Sequence, residues 1–153
     1  MLNHQQKALA VQNGEKKLSV KIIYPLEDEE QANFAAWLNR QPGLKYTMIP
    51  NDVWTTSHKQ KARMKRLGLN RGLADMLVLI PKDRSKDGEG YTIYCEMKRA
   101  KRSLSTVSDD QQAWHNAINE LGVPNIQCYI CYGSSEAIKV ISHYLKSVEN
   151  SPF

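Results

Sequence analysis

The chain has 153 residues, of which 41% are hydrophobic, and it carries 21 Lys and Arg residues against 16 Asp and Glu residues, a formal net charge of +5. This length allows one compact domain with a buried core, here residues 1–153, and is too short for two comfortable domains. The basic balance favours a polyanionic partner, with an ordinary solvated basic surface as the alternative.

Membrane spans and structural disulfides are not expected. The sequence has no run of about 18 apolar residues and no signal-peptide core, so we expect a soluble, cytoplasmic protein. Cys95, Cys128 and Cys131 are an odd number without framework spacing, which predicts free thiols. Cys128 and Cys131 form a CxxC inside a strand pattern that puts them on opposite faces, so buried thiols are favoured over a zinc site.

The first part of the chain predicts a polar arm, a strand and an acidic helix. Residues 1–17 form the arm, and alternating apolar residues indicate a strand over residues 18–24. The acidic residues 27–30 then open a helix, because negative charge stabilises the exposed amides of a helix N-terminus. Glu30 lies one turn before Phe34, at the head of the apolar stripe of this helix.

A short strand and a strongly basic helix follow. The segment KYTMI predicts the strand, which ends at Pro50. The segment SHKQKARMKRL predicts the helix, which Gly68 ends.

Two further strands carry the polar residues of greatest interest. GLADMLVLIP predicts a buried strand led by Asp75, and YTIYCEMK predicts a strand with Glu96 and Lys98 near its end. The intervening PKDRSKDGEG has the Pro, Asp and Gly content of a hairpin loop. The two strands are therefore expected to be antiparallel neighbours.

The last part of the chain predicts a helix, a strand and a final helix. Ser108 caps the first helix, whose inner face runs through Trp114, Ile118 and Leu121. IQCYICY predicts the strand, and the final helix begins near Ser135.

The spacing of Glu96 and Lys98 points to metal-assisted chemistry. Residues two apart on a strand share a face, so these side chains project together while Met97 points into the core. If the preceding strand pairs with this one, Asp75 reaches the same place, and two carboxylates with the Met97 carbonyl suit magnesium. Lys98 then either holds or deprotonates a metal-bound water or stabilises charge on a phosphate, and both roles stay open.

A lone D…ExK arises by chance on strands with alternating charge, so the larger order of motifs decides. That order resembles the VRR-NUC family, a branch of the PD-(D/E)XK nuclease superfamily, over residues 27–145. Its elements here are an acidic helix with Glu27, Glu30, Gln31 and Trp37, the IPN of residues 49–51, a GLAD ending at Asp75, the E-x-K of residues 96–98 and the S-x-x-Q-x-x-W of residues 108–114. Ala74 stands where the family has proline, while the acidic residue after it is kept.

The resemblance implies an α/β, restriction-endonuclease-like core with a mixed central β-sheet flanked by helices. It implies a DNA endonuclease that needs Mg²⁺, or Mn²⁺ in its place, and no small organic cofactor. It also implies that Asp75, Glu96 and the Met97 carbonyl bind the metal and that Lys98 is catalytic. Gln111 and a glutamate of the first helix complete the site. Because it leads the buried stripe, Glu30 is favoured over Glu27 for that glutamate.

Basic residues near these motifs are expected to contact the DNA backbone. With Asn51 of the IPN segment, the predicted DNA-binding positions are Lys59, Lys61, Arg63, Lys65, Arg66, Arg99, Lys101 and Arg102. Small free-standing members of the family, bacterial or from phages, resemble homodimers that cut branched DNA such as Holliday junctions. The same is expected here, in a bacterial or phage-infected cell. The alternatives are a nuclease for duplex or flap DNA, a non-catalytic DNA-binding module and an adaptor that binds no nucleic acid.

Overall fold

The computed structural model describes residues 21–51 and 55–147, which form a four-stranded sheet with helices on both faces. The strands are β1 (Lys45–Met48), β2 (Met76–Ile80), β3 (Tyr91–Lys98) and β4 (Ile126–Tyr132). The helices are α1 (Glu27–Leu38), α2 (His58–Arg66), α3 (Asp109–Asn119) and α4 (Ser134–Tyr144), with short 3₁₀ turns at Lys82–Arg84 and Arg102–Leu104.

The sheet is mixed, with strand order β1-β2-β3-β4. The pairs β1–β2 and β2–β3 are antiparallel, and the pair β3–β4 is parallel. The predicted hairpin is confirmed, because Met76 at the start of β2 lies opposite Cys95 near the end of β3. The predicted α/β core with a mixed sheet is confirmed as well.

The alternation of side chains along the strands divides the core between the two faces of the sheet. On one face, α1 and α4 pack on a large core that includes Phe34, Ile93 and Ile141, all with 0% exposure. On the other face, Trp114 and Ile118 of α3 pack against Ala74 and form part of a smaller apolar cluster. The candidate functional residues of β3 lie on this second face, since Glu96 and Lys98 alternate with the core residues Cys95 and Met97.

The cysteines behave as the sequence predicts. Cys128 packs in the smaller cluster and Cys131 in the larger one, so the two lie on opposite faces of β4. Cys95, Cys128 and Cys131 are buried free thiols. Burial raises the pKa of Cys128 to about 12, which keeps this thiol protonated and unreactive.

Two predicted features need correction, namely the strand over residues 18–24 and the extent of the inner face of α3. The described part of the predicted strand, residues 21–24, has no regular secondary structure. The Tyr24 carbonyl accepts a hydrogen bond from Arg99 instead of joining a sheet. The rest of that strand, residues 18–20, and the predicted arm lie outside the described residues. Leu121 is 59% exposed and does not extend the inner face of α3, because the helix ends at Asn119.

Within residues 21–51 and 55–147, no helix combines the length and apolarity that a membrane crossing requires.

Candidate active site

The β2–β3 pairing brings Asp75 to the strand that carries Glu96 and Lys98. Asp75 directly precedes β2, and its Oδ2 accepts a hydrogen bond of 2.7 Å from the backbone N–H of Met97. The Met97 side chain is 1% exposed and lies in the large core. Because the N–H and C=O of one strand residue point to the same side, the Met97 carbonyl also lies on the Asp75 side of β3. Asp75 and the Met97 carbonyl, two of the three groups that the sequence predicts as metal ligands, therefore lie on the same side of β3.

Glu96, Lys98 and Gln111 form a closed triangle of polar contacts. Lys98 Nζ lies 2.9 Å from Glu96 Oε1 and donates to Gln111 Oε1 over 3.2 Å. Gln111 Nε2 in turn donates to Glu96 Oε1. Glu96 and Lys98 are 3% and 4% exposed. Charged groups are rarely buried to this extent unless they are paired, so the triangle explains how Lys98 is held in the interior.

Two contacts at the start of α3 hold Gln111 in place: a capping box within the helix and the close approach of Gly72. Ser108 caps the helix by accepting from the Gln111 N–H, and Gln111 Oε1 accepts from the Ser108 N–H over 2.9 Å, which together form a capping box. Gly72 packs against the same turn at φ +92°, where an added Cβ would lie 2.6 Å from the carbonyl carbon of Asp110. Only glycine fits this close approach, so the segment before Asp75 and the start of α3 are locked together.

Trp114 adds a second connection between these elements. Its Nε1–H donates to the backbone carbonyl of Arg71 over 3.0 Å. The tryptophan of the S-x-x-Q-x-x-W pattern thus anchors the chain leading into Asp75, while the glutamine of the same pattern contacts Glu96 and Lys98.

The electrostatics of the two carboxyl groups favour a bound cation. Burial raises the pKa of Asp75, although the Met97 N–H and Lys98 oppose the rise. Burial and the charge of Asp75 raise the pKa of Glu96 to about 7. Burial is the larger cause for both groups, and the negative charge of Asp75 adds to the rise at Glu96. A divalent cation would stabilise both carboxylates and lower both pKa values.

The donor set fits magnesium. Among the residues that the structure describes, no hydrogen-bond donor reaches the buried Oε2 of Glu96. A buried carboxylate oxygen without a partner is costly, and a metal ion would satisfy it. The described residues contain no group of three or more His, Cys, Asp and Glu side chains arranged to hold a metal. Magnesium does not need one, since it is commonly held by one or two carboxylates with waters and substrate oxygens.

The two candidate glutamates of α1 differ in their surroundings. Glu30 is 4% exposed, and its Oε2 accepts a 2.7 Å hydrogen bond from the Ser134 N–H at the start of α4. Glu27 accepts from Ser105 Oγ over 2.7 Å, and its charge raises the pKa of both Asp75 and Glu96. Glu27 thus acts electrostatically on both carboxyl groups, whereas the Glu30 carboxylate bonds to the N-terminus of α4, and the sequence preference for Glu30 stays a prediction.

The predicted DNA-binding residues of α2 are all solvent-exposed. None of the nine residues of α2 is buried, so the helix presents its positive side chains to solvent. The exposed basic residues are Lys59, Lys61, Arg63, Lys65 and Arg66. Lys61 and Lys65 also line a groove of about 860 Å³ whose other wall is α3, the helix that carries Gln111. The groove runs between the basic helix and α3, and its wall includes Asp110 and Trp114, which flank Gln111 in the sequence of α3.

Two of the other predicted DNA-binding residues contact backbone carbonyls of the chain. Arg99 donates from Nε to the Pro25 carbonyl over 2.9 Å and from a terminal nitrogen to the Tyr24 carbonyl over 2.7 Å. Asn51 donates from Nδ2 to the Leu73 carbonyl, two residues before Asp75. Both side chains have intermediate exposure, and each holds a segment that borders the site.

The last two, Lys101 and Arg102, remain exposed and lie over aromatic rings. Lys101 Nζ is 5.7 Å from the centre of the Tyr24 ring. The guanidinium carbon of Arg102 is 3.9 Å from the centre of the Tyr132 ring. Tyr132 was not found by sequence reasoning, because its proximity to Lys98 depends on the register of β3 and β4, for which no local pattern exists.

A second cleft, of about 1220 Å³, opens on the other side of Asp75. It lies between α1, represented by Asp28 and Gln31, and β1, represented by Tyr46 and Met48. Asp75 therefore borders open space as well as its partners in the site.

Comparison with known proteins identifies the architecture. A solved structure described as a VRR_NUC domain protein is 22% identical to this chain, with a TM-score of 0.55, and the alignment covers 80% of this chain and 90% of that one. No protein-family model and no curated protein matches the sequence. Likeness at this level of identity is evidence of the fold, and the chain has a VRR-NUC-like, restriction-endonuclease-like α/β fold.

Proposed function

We propose that this protein is a metal-dependent nuclease that hydrolyses phosphodiester bonds in DNA. The observation that carries the proposal is the connected set of Asp75, Glu96, Lys98 and Gln111, joined by hydrogen bonds and one ion pair at the edge of the small core. The fold supports it, since the similar solved structure is described as a VRR_NUC domain protein.

The metal would be held by Asp75, Glu96 and the Met97 carbonyl, and Mg²⁺ or Mn²⁺ suits these oxygen ligands. When bound, such an ion lowers the pKa of a coordinated water and polarises a phosphoryl oxygen. The unpartnered Oε2 of Glu96 and the raised pKa values of both carboxyl groups support this assignment.

Lys98 is suited to orient a water or to stabilise charge on the phosphate. Its Nζ has two acceptors, Glu96 Oε1 and Gln111 Oε1, and both are contacts that an ammonium donor makes. An ammonium has three N–H donors, so one remains for a water or a phosphate oxygen. Gln111 holds Lys98 and Glu96 in this arrangement, and Glu27 adds negative charge on the α1 side.

DNA is the substrate that the charge distribution favours. The exposed cations of α2, with Lys61 and Lys65 beside α3, suit contacts to phosphates that position a strand without reading its sequence. For the preferred substrate we propose branched DNA of the Holliday-junction type, cut by a homodimer, since paired cuts in opposite strands require two active sites related by symmetry. Linear duplex and flap DNA are the alternative substrates.

The test is cleavage of labelled four-way junction, flap and linear duplex DNA with Mg²⁺, Mn²⁺ or EDTA. Asp75→Ala and Lys98→Ala are expected to abolish cutting. Asp83→Ala and Lys82→Ala are matched controls, because they remove the same charges from exposed residues beyond the far end of β2. Metal-dependent cutting that is lost in the two site variants and persists in both controls supports the proposal. Sedimentation of the protein with and without junction DNA tests the dimer. If folded wild-type protein binds DNA but cuts none of the three substrates, the chain is a non-catalytic binding module.

A further inference from the structure

Arg102, Tyr132 and Glu136 form a cluster at the end of β4. The guanidinium carbon of Arg102 lies 3.9 Å from the centre of the Tyr132 ring, and its terminal nitrogen lies 3.6 Å from Glu136 Oε1. Glu136 is itself fixed, because its Oε2 accepts a 2.9 Å hydrogen bond from the Tyr132 N–H. The ring contact and the ion pair together restrict a side chain that is 69% exposed.

This cluster lies beside the candidate active site. Lys98 and Tyr132 are register partners in the parallel β3–β4 pair, and the Gly133 N–H donates to the Lys98 carbonyl over 2.9 Å. Partners in register project from the same face of a sheet, with strands about 4.8 Å apart. Tyr132 is therefore next to Lys98, on the opposite side of β3 from Asp75.

We propose that the Arg102–Tyr132–Glu136 cluster is a phosphate-binding site for the strand that is cut. In it Arg102 contacts the backbone phosphate next to the scissile one, and Tyr132 and Glu136 act as positioning residues. The inference rests on the proposed function and adds a contact for the substrate on the β4 side of Lys98.

The chemistry of arginine supports this assignment. An arginine has five N–H donors, so those of Arg102 that do not face Glu136 stay available to a phosphate while the guanidinium lies over the Tyr132 ring. Holding the side chain in place beforehand lowers the conformational entropy that binding would otherwise cost. Arg99, the neighbouring arginine, differs in that its guanidinium already donates to two backbone carbonyls.

The test measures binding of a fluorescent duplex by anisotropy in EDTA over a range of KCl concentrations. Arg102→Ala is expected to weaken binding on the order of five-fold, as for one exposed ion pair. The slope of log affinity against log salt should fall by about one, as for one lost phosphate contact. Tyr132→Leu should weaken binding to a similar extent, Tyr132→Phe should bind as wild type, and Arg102→Ala with Tyr132→Leu should be no weaker than Arg102→Ala alone.

Two further variants complete the test: one controls for the loss of a positive charge, and the other tests the role of Arg102 if Tyr132→Leu does not fold. Lys146→Ala removes a positive charge at the opposite end of the sheet, where its backbone meets Arg84, and should leave the affinity unchanged. Arg102→Lys keeps the charge but loses the flat guanidinium, so it should bind more weakly than wild type even if Tyr132→Leu fails to fold. In cleavage reactions, Arg102→Ala and Tyr132→Leu should raise KM more than they lower kcat.

Several results would overturn the inference. These are wild-type affinity and salt slope in Arg102→Ala, wild-type affinity in Arg102→Lys, or a Tyr132→Phe variant as weak as Tyr132→Leu. A protein that cuts no DNA but shows the expected binding pattern would contradict the nuclease proposal while leaving the phosphate site supported.

Discussion

The backbone N–H of Met97 donates to Oδ2 of Asp75 over 2.7 Å, and this bond joins a carboxylate that precedes β2 to the strand that carries Glu96. The two carboxyl groups are held close enough that the charge of Asp75 raises the pKa of Glu96. The unbound site is therefore electrostatically unfavourable, as expected for carboxylates arranged to bind a cation.

Replacing Asp75 by asparagine removes its negative charge but can keep its hydrogen bond with the Met97 N–H. Asparagine keeps an oxygen that can accept from the Met97 N–H but cannot supply a negative ligand. We expect Asp75→Asn to lose DNA cleavage on the order of 100-fold or more, because metal ligation and its contribution to the transition state are lost. The free energy of unfolding in EDTA at pH 8 should equal or exceed that of wild type, since a buried charge is removed.

Asp75→Ala provides the comparison. It removes both the charge and the acceptor, so it should lower the free energy of unfolding by about 1–2 kcal/mol. Urea unfolding and cleavage rates measure the two effects. Cleavage by Asp75→Asn at the wild-type rate would show that the Asp75 carboxylate is not a metal ligand.

Gln111 and Gln112 are adjacent residues with different predicted effects. The Gln111 amide contacts Glu96, Lys98 and the Ser108 N–H, whereas the exposed Gln112 bonds within its own helix. Gln111→Ala should lower the cleavage rate by about 10- to 100-fold, the usual effect of losing a residue that orients catalytic groups. Gln112→Ala should cut at the wild-type rate. Equal rates in both variants, measured in single turnover, would contradict the assigned role of Gln111.

The strand that carries Glu96 and Lys98, and its pairing with β2, could be predicted because their signals are local. The two-residue period of YTIYCEMK places Glu96 and Lys98 on one face, and the short loop before it predicts the hairpin that brings Asp75 near. The cap at Ser108 was likewise predicted from the residues around the start of α3, and the structure adds the reciprocal bond to Gln111. Each of these predictions needs only short-range geometry.

The rest depends on contacts between distant segments. The partners of Arg99 could not be predicted, because they are carbonyls about 75 residues earlier in the chain. The apolar alternation in residues 18–24 predicts a strand, yet where the structure describes it, this segment pairs with no other strand. The burial of Glu30 was predicted correctly, but its partner, the Ser134 N–H, lies 104 residues away. Periodicity indicates that a residue is buried, without identifying its partner.

The raised pKa of Glu96 predicts a specific pH dependence of stability in the metal-free protein. The pKa is about 7 in the folded protein against an ordinary value of 4.5, so the folded state keeps a proton that the unfolded chain releases. The resulting stabilisation is fully present below pH 4.5 and is lost as the pH rises through about 7. Urea unfolding in EDTA from pH 5 to 8 should show this loss in wild type and a smaller one in Glu96→Gln. At pH 8, Mg²⁺ should restore stability to wild type alone. Parallel pH profiles for the two proteins would contradict the prediction.

Alanine variants at Gly72 and Gly88 distinguish the cost of a steric clash from the cost of backbone strain. Both have a positive φ, +92° and +76°, but an added Cβ at Gly72 would meet Asp110 and Gln111, while at Gly88 it meets nothing within 4 Å. We expect Gly88→Ala to cost about 1 kcal/mol of stability from backbone strain alone. Gly72→Ala should cost about 2–3 kcal/mol and should also slow cleavage, because α3 must shift and carry Gln111 with it. Equal unfolding midpoints for the two variants would show that the close approach is not tight.

Glu27 and Glu30 lie one turn apart on α1, and each replacement by glutamine has a distinct expected result. Glu30→Gln weakens a charge-assisted bond to the Ser134 N–H, so it should lower the free energy of unfolding by about 1 kcal/mol and leave cleavage nearly unchanged. Glu27→Gln removes a charge that acts on Asp75 and Glu96, so it should slow cleavage and raise the Mg²⁺ concentration needed for half-maximal activity, with little change in stability. Urea unfolding and a Mg²⁺ titration of the cleavage rate, run on both variants, measure the two effects. The reverse pattern, with slow cleavage in Glu30→Gln and wild-type cleavage in Glu27→Gln, would support Glu30 as the glutamate of the site and require α1 to lie differently when DNA is bound.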